Sequence, residues 1–185
     1  VHTTFWRMGF LSLCNRPAEV LSLLRHELDN GMWWAANQFL DPDFDAMRDM
    51  PEFKRLVDES NRRCLEARAS TQPDRTLLLP DQTSEAMPLL IALHGRNGNK
   101  NSSLEAWDVA RRRGWLVLLP QSQQIIFPGN PASYCWDDID EGMSDILFHV
   151  EEIMRLHPID RERIVIAGFS QGSGMAIYAA LSQRN

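Results

Sequence analysis

Arg163-Ile164-Val165-Ile166-Ala167-Gly168-Phe169-Ser170-Gln171-Gly172 decides how the rest of the chain is read. A short β-rich run leads into Gly-x-Ser-x-Gly. A helical sequence follows, from Met175 to Leu181. Strand, tight turn and helix in that order form the setting a nucleophilic serine needs, because the turn lifts its hydroxyl clear of the sheet. Glycine suits the flanking positions, where a Cβ would collide with the neighbouring strand and helix. The other reading is a small-residue turn of no catalytic meaning. The flanking pattern favours the nucleophile.

Working outward, residues from about 71 alternate between apolar runs and helical patterns. Thr76–Leu79, Pro88–His94, Trp115–Pro120 and Arg163–Ala167 are expected strands. They are continuously apolar, as in strands covered on both faces. A helix is expected over 139–154, with Ile139, Met143, Ile146, Leu147, Val150 and Ile153 on its apolar stripe. Acidic residues enrich its start and Pro158 closes it. Arg111-Arg112-Arg113 reads as the last turn of a helix that Gly114 ends. The expected fold class is α/β, a mostly parallel sheet with flanking helices.

The first seventy residues read as helical and form a separate N-terminal extension, 1–70, ahead of 71–185. Pro17–Asn30 carries Val20, Leu21, Leu24 and Leu28 on one face, and Pro51–Ala69 carries Phe53, Leu56, Val57, Ser60 and Cys64. Asp41-Pro42 is a capping residue with proline at the first helical position.

Composition excludes several classes. A net charge of −6, with a small acidic excess in both regions, argues against nucleic acid or an anionic membrane as partner. No apolar stretch is long enough for a membrane span. Three cysteines without regular spacing (Cys14, Cys64 and Cys135) fit reduced thiols in a cytoplasm. Arg7 and a short apolar run make Leu11-Ser12-Leu13-Cys14 a poor secretion signal.

Chemistry concentrates in three places. Ser170 is the candidate nucleophile. His94-Gly95-Arg96-Asn97-Gly98 follows the second expected strand, where a loop can aim a backbone N–H at a developing oxyanion. By position the two oxyanion-hole donors are the amides of Arg96 and Gln171. The long loop from Gln121 to Asp138 holds Tyr134 and Trp136, read either as substrate-binding walls of an acyl pocket or as packing. His26 and His149 are expected on helix surfaces and His94 in a structural role. No Asp, Glu or His follows Ser170. A triad running Ser, acid, His would then have its acid and base beyond residue 185, so an incomplete hydrolase domain is expected.

Five motifs together resemble the phospholipase/carboxylesterase family of α/β-hydrolases, which includes acyl-protein thioesterases. They are His94-Gly95-x-x-Gly98, Gly114-Trp115, Pro120-Gln121-Ser122, Trp136-Asp137-Asp138 and Gly168-Phe169-Ser170-Gln171-Gly172. The resemblance implies a serine ester or thioester hydrolase that forms an acyl-serine, takes a small-molecule ester, and uses no metal and no cofactor. Asp41–Phe53 resembles the segment that closes tetratricopeptide repeats and the N-terminal extensions of bacterial hydrolases. It leaves two readings of the helical region: a cap on the hydrolase body, or a module binding a protein partner. The alternative function is therefore an inactive, hydrolase-like protein that acts by binding.

Overall fold

The structure is a computed structural model that describes residues 2–82 and 85–182. The chain divides into two compact units, one of Val1–Ser70 with Ile126–Ala132 and one of Thr71–Ile125 with Ser133–Asn185.

The first unit is helical, as its sequence predicts. Its helices are α1 (His2–Leu13), α2 (Pro17–Asn30 in the sequence reading, Pro17–Asp29 in the structure) and α3 (Pro51–Ser70). Two 3₁₀ turns, Ala36–Leu40 and Pro42–Met47, lie between α2 and α3. Asp41 caps the second, its carboxylate accepting the Asp43 N–H at 3.0 Å. The core is aromatic: Phe5, Trp34, Phe39, Phe44 and Phe53 approach one another at ring-centroid distances of 5.5–6.4 Å. Ser60 is polar yet belongs to the buried stripe of α3 for a specific reason. Its hydroxyl accepts the Trp34 N–H at 2.7 Å and donates to the Trp34 carbonyl at 2.8 Å. That satisfies an irregular backbone that would otherwise be buried unbonded.

The second unit holds a four-stranded sheet of β1 (Asp74–Leu78), β2 (Met87–Leu93), β3 (Leu116–Gln121) and β6 (Ile159–Gly168), in the order β1-β3-β2-β6. β2 runs parallel to β3 and to β6, and β1 is antiparallel to β3. Helix α4 (Leu104–Arg111), α5 (Ile139–Leu156) and α6 (Gln171–Ser182) complete the α/β arrangement. Gly114 ends the α4 region with φ +86°, and Arg111 pairs with Asp108 and Asp81, as expected for a helix end. Asp138 caps α5, accepting the Glu141 N–H at 2.9 Å. Leu89, Ile91, Leu93, Leu116 and Leu118 form the heart of the core with Ile146, Ile153 and Met175.

Three expectations are corrected. Within the four-stranded sheet, the central strands β2 and β3 are buried along their whole length, and β1 and β6 are not. β6 is not covered on both faces as its continuous apolar run implies: it lies at the sheet's edge, with Ile164 37% and Val165 44% exposed. Among the described residues no strand pairs with its outer side. His149 is buried rather than on the surface of its helix. It lies one turn from Ile146 and Ile153, on the face of α5 turned inward, with Nδ1 3.2 Å from an Arg75 guanidinium nitrogen. The stretch from Gln121 to Asp138 is not plain loop, since Ile125–Phe127 (β4) and Ser133–Tyr134 (β5) form a two-stranded sheet.

Beside β6 an apolar groove of about 390 Å³ is lined by Ile91, Met143, Ile146, Leu147, Ile164 and Ile166. An open apolar edge invites pairing with another chain. The 185-residue chain on its own is therefore expected to self-associate at low micromolar concentration, and Val165→Lys to shift it toward monomer. Light scattering on a sizing column checks both. A clean monomer of the unsubstituted chain would contradict the expectation.

Candidate active site

The turn at residues 168–172 has the strain its sequence predicts. Ser170 has φ +50°, in the left-handed region that a residue with a Cβ occupies only when its surroundings hold it there. Those surroundings are backbone. A Cβ on Gly168 would lie 2.3 Å from the Gly172 carbonyl oxygen. One on Gly172 would lie 2.3 Å from the His94 carbonyl oxygen and 2.7 Å from that of Leu93. The Phe169 N–H donates to the Leu93 carbonyl at 3.1 Å and anchors the turn to the end of β2. Ser170 is exposed at the head of α6, whose N-terminal amides favour negative charge nearby.

The loop after β2 lies against the serine. A Cβ on Gly95 would come within 3.4 Å of the Ser170 Cβ, so glycine permits this approach. The loop turns at Asn97, φ +64°, with the Gly98 N–H bonded to the Gly95 carbonyl and the Asn97 N–H to the Tyr134 carbonyl. The Arg96 and Gln171 amides have no backbone acceptor among the described residues. They stand on the two segments that meet at Ser170.

His94 supports this loop from below. Burial drops its pKa to about 4, so the ring is neutral. Its Nδ1 is 2.9 Å from the Gly95 carbonyl and its Nε2 accepts the Ser122 N–H at 3.3 Å, so both nitrogens are engaged. Trp136 is 3% exposed, stacks at 4.9 Å on the His94 ring, and donates its indole N–H to the His94 carbonyl at 2.9 Å. Its ring thus supports the loop from within the core. Tyr134 is half-buried, near His94, with its backbone bridged to Gly98.

Sequence reasoning missed a polar network between these segments. The Asp137 carboxylate Oδ1 accepts from the Arg96 guanidinium and, at 2.7 Å, from the Gln171 carboxamide. The Gln171 carboxamide oxygen accepts the Trp136 N–H at 3.0 Å. Gln124, fully buried, fixes the same segment: its oxygen accepts the Asp138 N–H at 2.8 Å and its amide donates to the Asp138 carbonyl at 2.7 Å. A buried glutamine next to a run of apolar residues was the available signal, since such a group needs partners. In the sequence Asp137 stands in the Trp136-Asp137-Asp138 motif and at the acidic start of α5, and neither shows these bonds.

Among the described residues no hydrogen bond joins Ser170 Oγ to a histidine. His26 is exposed on α2 and its ring meets Asn30. His149 is held with Arg75, and burial lowers its pKa as well. No group of three or more His, Cys, Asp or Glu among the described residues is placed to hold a metal ion, and no described helix is long and apolar enough to cross a membrane.

Several solved structures are similar to this chain over part of their length. An uncharacterized protein from Bacillus cereus ATCC 10987 is 23% identical with a TM-score of 0.48, over 97% of this chain and 56% of that one. Est1E from Butyrivibrio proteoclasticus is 23% identical with a TM-score of 0.48, over 60% and 42%. An acetyl xylan esterase from Aspergillus awamori is 18% identical with a TM-score of 0.48, over 60% and 42%. This chain thus spans about half the length of the solved structures it is similar to. No curated protein sequence matches it. The match that decides its membership is to the phospholipase/carboxylesterase family, over residues 82–185. It contains both the loop after β2 and the strained serine turn, and the chain belongs to that family.

Proposed function

We propose that this chain carries the nucleophile and oxyanion half of a serine-dependent hydrolase of carboxylic esters or thioesters. The observation that carries the reading is Ser170 itself: an exposed hydroxyl at φ +50°, at the head of a helix, with the Gly95 loop against it. Ser170 Oγ attacks the acyl carbon of a small-molecule ester. The carbonyl π electrons move onto oxygen, which faces the Arg96 and Gln171 amides. Donors already aimed at that oxygen stabilise it without reorganisation, each lowering the barrier by about 3 kcal/mol. Collapse expels the alcohol or thiol and leaves an acyl-serine, which water then hydrolyses.

A base must take the Ser170 proton and pass it to the leaving group. His94 has both nitrogens engaged and His149 is held with Arg75, so neither fills that place. The proposal requires a histidine, oriented by an acid, from outside the described side chains. Of the two aromatic residues, half-buried Tyr134 is assigned to the acyl wall. Trp136 acts on the site through the loop it supports.

The intact protein carrying this chain is expected to hydrolyse p-nitrophenyl acetate or butyrate, with an initial burst of p-nitrophenol equimolar with enzyme as the acyl-serine fills. Stopped-flow absorbance measures the burst. A protein that hydrolyses neither ester, in the presence of its complete chain, contradicts the reading.

A further inference from the structure

We propose that Asp137 is a positioning residue for the oxyanion hole, tying the Arg96 loop to the residue after the nucleophile. The inference rests on the functional reading above and assigns a role that the family motifs do not. One carboxylate oxygen, Oδ1, receives both the Arg96 guanidinium and the Gln171 carboxamide N–H. These are the side chains of the two residues whose backbone amides are the assigned oxyanion donors. The bond is therefore a cross-tie between two segments that are 75 residues apart in sequence and must agree in geometry at one atom.

The cross-tie is itself held. The other end of the Gln171 carboxamide accepts the Trp136 N–H at 3.0 Å, so that side chain cannot rotate without losing two bonds. The Asp138 backbone, one residue on, is gripped from both sides by Gln124. Asp137 is thus presented from a rigid segment, while Arg96 sits in a turn between Gly95 and Asn97. The backbone bonds of Asn97 and Gly98 hold the far side of that turn, and the Arg96–Asp137 pair ties Arg96 itself to the rigid segment.

Stability alone does not account for this arrangement. The pair is 37% and 30% exposed, and half-exposed ion pairs of this kind contribute little to folding. Orientation of a donor at a reacting oxygen is far more sensitive, since small misplacements cost large factors in rate. Removing Asp137 should therefore affect turnover much more than folding.

The test uses the intact protein. For Asp137→Ala, kcat for p-nitrophenyl butyrate is expected to fall by about thirtyfold, from mis-aimed oxyanion donors. KM should stay within about twofold and the melting temperature within about 2 °C. Arg96→Met should lower kcat in the same way, and the double variant should be no slower than the worse single one, because both break one tie. Asp137→Asn retains an acceptor for Gln171 and removes the charge facing Arg96. It serves if the alanine variant does not fold, and its expected fall is about fivefold. A kcat within twofold of wild type in Asp137→Ala, or in Asp137→Asn where that variant replaces it, overturns the inference. So does a loss confined to KM, or additive losses in the double variant. A wild-type protein without esterase activity overturns the functional reading and this inference with it, so the two failures are told apart by the unsubstituted protein.

Discussion

Gly172→Ala is expected to destroy the acylation of Ser170 and to cost about 3 kcal/mol of stability by overpacking. The added methyl would lie 2.3 Å from the His94 carbonyl oxygen and 2.7 Å from that of Leu93. Neither oxygen has room to retreat. Both lie where β2 ends, the Leu93 carbonyl already accepts the Phe169 N–H, and the His94 carbonyl accepts the Trp136 indole. The strand itself is paired on both edges, to β3 and β6. The turn must therefore open, and Ser170 loses its place beside the Gly95 loop. Gly174→Ala is the matched control. Nothing lies within 4 Å of its Cβ and it sits inside α6, so the substitution should be neutral or stabilise by up to about 1 kcal/mol. Urea unfolding separates the two. A Gly172→Ala variant within 0.5 kcal/mol of wild type, roughly the additivity error of such measurements, would mean that the turn is looser than described.

The second large effect is a loss of stability on acidification, driven by His94. Folding lowers its pKa from an ordinary 6.5 to about 4, because burial penalises the charged ring, with the bond to Gly95 pulling weakly the other way. In the unfolded chain the same ring takes up its proton near the ordinary value. Above pH 6.5 both states are neutral and the full stability is present. As pH falls through the window from 6.5 to about 4, only the unfolded state gains a proton, and stability is lost. Below that both are protonated and the loss levels off. At 1.36 kcal/mol per unit the whole window amounts to about 3 kcal/mol. His149 adds a loss of the same sign, since its pKa is lowered too, by burial and then by Arg75. The imidazole carbon shifts of His94, followed by NMR between pH 7 and 5, give the direct reading. They should stay those of a neutral ring throughout. A midpoint near 6.5 would show that the ring is solvated, and the engaged nitrogens that remove it as a catalytic base would not hold.

Much of this was legible in the residues, for physical reasons that can be named. The Gly168–Gly172 turn reads correctly because its constraint is local: two glycines around a strained residue leave few alternatives. The helices read correctly where their stripes are long, as in α3 and α5. The faces of β6 read as covered because a run such as Ile164-Val165-Ile166 records that a strand is apolar, and says nothing of what packs on it. His149 was misjudged because a polar residue one turn from Ile146 and Ile153 was given to solvent, whereas the spacing puts it on the buried face beside Arg75. The bonds from Asp137 to Arg96 and Gln171 could not be read at all. They join residues 41 and 34 apart in sequence, and no periodicity links two loops and the start of a helix.

The central claim is that Ser170 is the nucleophile. The most direct measurement is to treat the intact protein with a fluorophosphonate, digest it, and locate the adduct by mass spectrometry. The account predicts a single modified residue, Ser170, and no labelling in Ser170→Ala. An adduct on any other residue, or labelling that persists in Ser170→Ala, would contradict it.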